Sequence, residues 1–112
     1  MKYALLINEA PGAYVGLDDE ERAAITAEYM AIRGDERVYA GARLAPADTA
    51  TTARSADGEL LLTDGPFADT KEIFGGYFMV EASDLDSAME LVARIPALRM
   101  GGSVEVRPVL EY

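Results

Sequence analysis

Read from the residues, the chain runs β-α-β, then a hairpin, then β-α-β. This order predicts an α+β fold of the ferredoxin-like plan, βαβ(β-hairpin)βαβ, in a single domain over residues 1–112. Three observations carry the prediction. Two segments with helical apolar spacing alternate with apolar runs of strand length. Asp57-Gly58 lies between two strand-like stretches, where a tight hairpin turn is needed. The last segment places Val104 and Val106 on one face and Glu105 and Arg107 on the other, a period of two.

The first strand is "KYALLIN", residues 2–8, followed by a loop punctuated by Pro11-Gly12 and Gly16. "LDDEERAAITAEYMAIRG" is the first helix. Asp18 and Glu21 have capping-box spacing, the first turn is acidic as the macrodipole favours, and Gly34 stands at the end. Ile25, Tyr29 and Ile32 form its core stripe; Ala23, Ala27 and Met30 lie almost opposite and read as a solvated helix-forming face. "RVYAGARLAP" is a strand ended by Pro46, and "TATTARSADGELLLT" a hairpin. "GYFMVEA" is the next strand. The second helix is "SDLDSAMELVARIPAL", capped by Asp84, ended by Pro96 and buried along Leu85, Ala88, Met89, Val92 and Ile95. Two helices cover one sheet face. Because Tyr3, Leu5 and Ile7 alternate with the apolar Ala4 and Leu6, the other face also expects burial, and a homodimer is the physical expectation.

Composition narrows the chemistry. A 112-residue domain buries roughly two thirds of its unfolded surface, enough for a core without staples. The chain has no cysteine and no histidine, which removes disulfides, thiol chemistry and the commonest general base and metal ligand. Neither a metal nor a cofactor is expected. A net charge of −10 argues against direct nucleic-acid binding, and the opening residues lack the apolar length of a signal peptide or membrane span, so the cytoplasm is expected. The acidic run at 18–21 reads as a solvated first helical turn rather than a cation site.

The stretch "DGPFADTKEIFGGYF", residues 64–78, admits two readings. In the structural one, Asp64, Gly65 and Pro66 make a turn, Phe67 plugs the core, Asp69 to Glu72 cap one helical turn, and Gly75-Gly76 allow a bulge or a close backbone approach. In the functional one, Asp64, Lys71 and Glu72 line a cleft with Glu105 and Arg107 and bind a small polar ligand, with Asp64 the candidate catalytic base.

The "DGPFADTKE" motif closely resembles the signature of the DGPF, or YCII-related, family. The resemblance extends through "KYALLI", "LAPADTATTAR", "GGYFMVEASDLDSAMELVARIP" and "GSVEVRP". It implies a ferredoxin-like protomer forming a dimeric α+β barrel, with a cleft to which the motif contributes. Members of the DGPF branch are frequently encoded beside extracytoplasmic-function sigma factors, which implies an accessory regulatory association as an alternative role. Asp64, Gly65, Pro66, Phe67, Lys71 and Glu72 match the family pattern, with Asp69 where Glu is frequent. The chain has no histidine for the His-Asp pair ascribed to the wider family, which leaves a carboxylate-based lyase or hydrolase as the enzymatic alternative. The link "AIRGDERVYAG" is about one helical turn shorter than in some relatives, which makes the end of the first helix a distinct surface.

Overall fold

The computed structural model describes residues 1–65 and 71–112. Its elements are β1 (Lys2–Glu9), α1 (Asp19–Arg33), β2 (Val38–Arg43), β3 (Thr51–Ala56), β4 (Glu59–Asp64), β5 (Ile73–Glu81), α2 (Leu85–Val92) and β6 (Ser103–Pro108), with 3₁₀ turns at Ala47–Thr49 and Pro96–Leu98. The main sheet has the order β2-β5-β1-β6, and β3 pairs with β4 in a separate ribbon. β1 runs antiparallel to both neighbours, and β5 antiparallel to β2. This is an α+β arrangement consistent with the ferredoxin-like plan.

Alternation along the strands decides which side chains meet the helices. Tyr3, Leu5 and Ile7 of β1, with Phe78 and Val80 of β5, are buried against Ile25, Tyr29 and Ile32 of α1 and Ala88, Leu91 and Val92 of α2. Val104 and Val106 pack at the margin of this core, while Glu105 and Arg107 point the other way, exposed. Ala4, Leu6, Tyr77 and Met79 share that opposite face and are only partly covered.

Local chemistry sets the element ends. Asp18 accepts a hydrogen bond from the Glu21 amide at 2.8 Å, and the Glu21 carboxylate accepts one from the Asp18 amide at 3.4 Å. Gly34 ends α1 in right-handed geometry, φ −81°, its amide donating to Met30, so the left-handed freedom of glycine goes unused there. Asp57 and Gly58 both take positive φ, 51° and 81°, the pairing that a two-residue hairpin turn requires.

The second helix departs from the sequence reading. α2 stops at Val92, because the Pro96 ring would strike the Val92 carbonyl in a continued helix. Asp84 caps it through the Ser87 amide, and Pro96, four residues past the helix end, opens a 3₁₀ turn. Leu91 is buried, whereas Leu85 and Met89 are exposed: the buried stripe of α2 runs through Ala88, Leu91 and Val92, and Ile95 continues it past the helix end. Among the described residues, no helix is long and apolar enough to cross a membrane.

Candidate functional site

At the end of β1 the inward positions run Tyr3, Leu5, Ile7 and then Glu9, placing a carboxylate at the edge of the core. β5 makes room for it. The register passes from Ile7–Gly76 to Asn8–Phe74, leaving Gly75 as the extra residue of a bulge. A Cβ on Gly75 would run into the Glu9 carboxylate, so glycine there leaves the acid its seat. A Cβ on Gly76 would lie 2.6 Å from the Ala42 carbonyl oxygen, so this second glycine lets β2 approach.

Arg43, the last residue of β2, supplies the opposing charge. Its guanidinium donates to Thr26 Oγ1 at 3.0 Å and to the Tyr14 hydroxyl at 3.3 Å, and lies 4.8 Å from the Tyr29 ring centroid. Tyr14 belongs to the loop after β1, which Arg22 of α1 secures by donating to the Tyr14 carbonyl at 2.6 Å and the Leu17 carbonyl at 3.3 Å. Between these elements lies an open cleft of about 430 Å³, lined by Glu9, Tyr14, Arg22, Arg43 and Phe74 among others.

The electrostatics of the cleft are unlike those of the chain as a whole. Burial raises the pKa of Glu9, and Arg43 opposes that rise only in part. Two arginines against one carboxylate make the cleft lining locally positive in a chain of net charge −10. Tyr29 lies beneath, 4% exposed, its hydroxyl without a hydrogen-bond partner among the described residues. Burial, with Tyr14 and Glu9 nearby, pushes its pKa to about 12, against weaker pulls from Arg43 and the Ala97 amide, which does not complete a hydrogen bond to it.

The residues singled out from sequence fall elsewhere. Asp64 ends β4, exposed and opposite Thr51, with Gly65 beside it at φ 102°. Lys71 is exposed, and Glu72 accepts a hydrogen bond from the Ser103 hydroxyl. Glu105 and Arg107 form an ion pair at 3.5 Å on the sheet face away from the helices. Their strand is thus shared with the core, but their side chains point away from the face on which Glu9 and Arg43 stand. Pro66, Phe67 and Asp69 lie outside the described residues, and with Asp69 the cap of the expected turn at 69–72. Ile73, Phe74 and Gly75, which follow the motif, line the cleft directly.

Sequence reasoning passed over Glu9, Tyr14, Tyr29 and Arg43. One signal was available: a charged residue continuing the inward alternation of an apolar strand, as Glu9 does after Ile7. Among the described residues, no group of three or more acidic side chains is placed to hold a metal ion.

The fold and cleft define a small α+β domain with a carboxylate and a guanidinium at the end of its central strands. The family profile of the YCII-related domain matches residues 1–112, and the chain belongs to that family. An uncharacterized protein, R00369, of Rhizobium meliloti (strain 1021) is 40% identical over 72 residues, a match spanning 63% of this chain and 58% of that protein. The solved structure of 5-chloro-2-hydroxyhydroquinone dehydrochlorinase from Burkholderia phenoliruptrix AC1100, in complex with 2,5-dihydroxybenzoquinone, resembles the whole chain and 96% of its own, with TM-score 0.54 and 17% identity. At that identity the likeness shows the fold.

Proposed function

We propose that this chain binds a small organic anion in the cleft between Glu9, Tyr14 and Arg43, and that the Glu9 carboxyl exchanges a proton with it. The carrying observation is a half-buried carboxyl with a raised pKa, seated over a glycine bulge and lining the same cleft as a guanidinium. Arg43 anchors the anionic group; Glu9, whose pKa burial raises, acts as acid or base. A dehydrochlorinase on a similar fold supports an elimination-type, lyase-like reaction as a class and supplies no substrate. Calorimetric titration against a panel of small carboxylates and enolisable anions tests the reading. A responder should lose about tenfold or more in affinity in Arg43→Ala. Binding by the wild type that is unchanged in Arg43→Ala, or no responder across the panel, overturns it.

The open sheet face supports a second element of the reading, a homodimer in which Ala4, Leu6, Tyr77 and Met79 are covered by the same face of another copy, forming a dimeric α+β barrel. On that face the Glu105–Arg107 pair, with Glu72 tied to Ser103 at its end, favours an alternative ligand seat that would draw on Asp64 and Lys71 as well. Arg107→Ala separates the two seats, because it should abolish binding only on the open face. The association with a sigma factor rests on the family resemblance and the net charge of −10, the cytoplasmic setting on the short apolar run of the opening residues, and both rank below the two ligand seats. The sigma-factor association would be strongest at low salt.

A further inference from the structure

We propose that the β3–β4 ribbon is an arm that clasps a second copy of this chain, with Ala53, Ser55, Leu60 and Leu62 lying on the partner protomer. The inference rests on the homodimer reading above and adds a surface to it.

Among the described residues the ribbon pairs only with itself, and every residue of β4 is exposed. Its register sorts the side chains cleanly. Leu60 stands opposite Ser55 and Leu62 opposite Ala53, which puts these four on one face; Arg54, Leu61 and Thr63 belong to the other. Leu60 is 70% and Leu62 66% exposed. A two-stranded ribbon is marginal in water without something to pack on. An uncovered leucine face is also an aggregation hazard unless it is an interface.

Shape, area and charge point to a second copy as the occupant. The chain is a slab of 45 × 44 × 20 Å with a radius of gyration of 15.8 Å, against about 13 Å for a compact domain of this length. Four strands about 4.8 Å apart and about 20 Å long offer roughly 400 Å² of flat face. A stable interface takes about 800 Å² of accessible surface per partner. The ribbon adds roughly 200 Å² by the same geometry, closing much of that difference. Ala53, Ser55, Leu60 and Leu62 carry no charge, and Asp64 stands only at the far end of this face opposite Thr51, so in a chain at −10 the leucine patch matches an uncharged surface rather than a basic protein.

Sedimentation equilibrium on the full chain, with far-UV circular dichroism on each variant, tests the proposal. The wild type should be a dimer. Leu60→Asp with Leu62→Asp should weaken it about tenfold or more, while Leu61→Asp, on the opposite ribbon face, should change it less than about twofold. A wild-type dimer unaffected by the Leu60 and Leu62 changes overturns the arm and leaves the stacked-sheet dimer standing. Equal weakening by Leu61→Asp overturns the arm as well, because ribbon folding rather than its face would then be responsible. A wild type that stays monomeric throughout overturns the homodimer reading and the arm with it.

Discussion

The Glu9 carboxylate occupies the space that a side chain on Gly75 would need. The next glycine meets a different obstacle, since a Cβ on Gly76 would stand 2.6 Å from the Ala42 carbonyl oxygen of the neighbouring strand. A flexible acid end can swing aside, but a paired backbone cannot. Gly75→Ala is therefore expected to cost less than about 1 kcal/mol while displacing Glu9, and Gly76→Ala about 2–3 kcal/mol. Urea denaturation gives both values, and ligand titration shows whether Gly75→Ala loses binding beyond its small loss of stability. Equal stability losses would contradict this arrangement.

Burial of Glu9 sets a pH dependence with a definite sign. Its folded pKa lies above the unfolded value near 4.5, so the folded state holds the proton more tightly. Stability then falls as pH rises from about 4.5 through the folded pKa, and the penalty is complete above it. Glu9→Gln removes this dependence. The variant should gain stability relative to wild type at pH 7 and lose that advantage below about pH 4.5. Thermal unfolding of both proteins across pH 4 to 8 checks it; parallel curves would mean that Glu9 is not desolvated.

Features written in adjacent residues were legible before the fold was known. The Asp18–Glu21 cap, the Asp57-Gly58 turn and the Val104/Glu105/Val106/Arg107 alternation each depend on spacings of a few residues. The cleft was not legible in that way. Glu9, Tyr14, Tyr29 and Arg43 come from a strand end, a loop, a helix and an edge strand, and only pairing across β5 with a bulge at Gly75 brings them together. Asp64, Lys71 and Glu72 drew attention because they are close in sequence. Strand direction, rather than proximity along the chain, decides which charges share a cavity.

Asp35 anchors the turn between α1 and β2. It accepts from the Arg37 amide and Nε, each at 2.9 Å, and from Nη2 at 3.0 Å, with Arg94 at 3.5 Å. The Arg37 side chain foremost holds its pKa at about 2, below the ordinary 3.8. The resulting stability is present above pH 3.8 and is lost as pH falls toward 2. Asp35→Asn should cost about 1–2 kcal/mol at pH 7, screening included, and nothing below pH 2. Urea titrations at pH 7 and pH 2.5 should show the difference shrinking.

Tyr29 presents the opposite case, a buried polar atom whose removal should not hurt. Its ring packs on Phe78 with centroids 6.3 Å apart and carries Arg43 above it, but its hydroxyl makes no hydrogen bond among the described residues. Deleting a satisfied hydroxyl destabilises a protein, whereas deleting an unsatisfied one removes a desolvation penalty. Phenylalanine keeps the ring, the Phe78 contact and the face that Arg43 uses. Tyr29→Phe is therefore expected to be neutral or to stabilise by up to about 1 kcal/mol, read by urea denaturation without ligand. A loss above about 1 kcal/mol would show that the hydroxyl has a partner in solution, a bound water between it and Glu9 being the simplest.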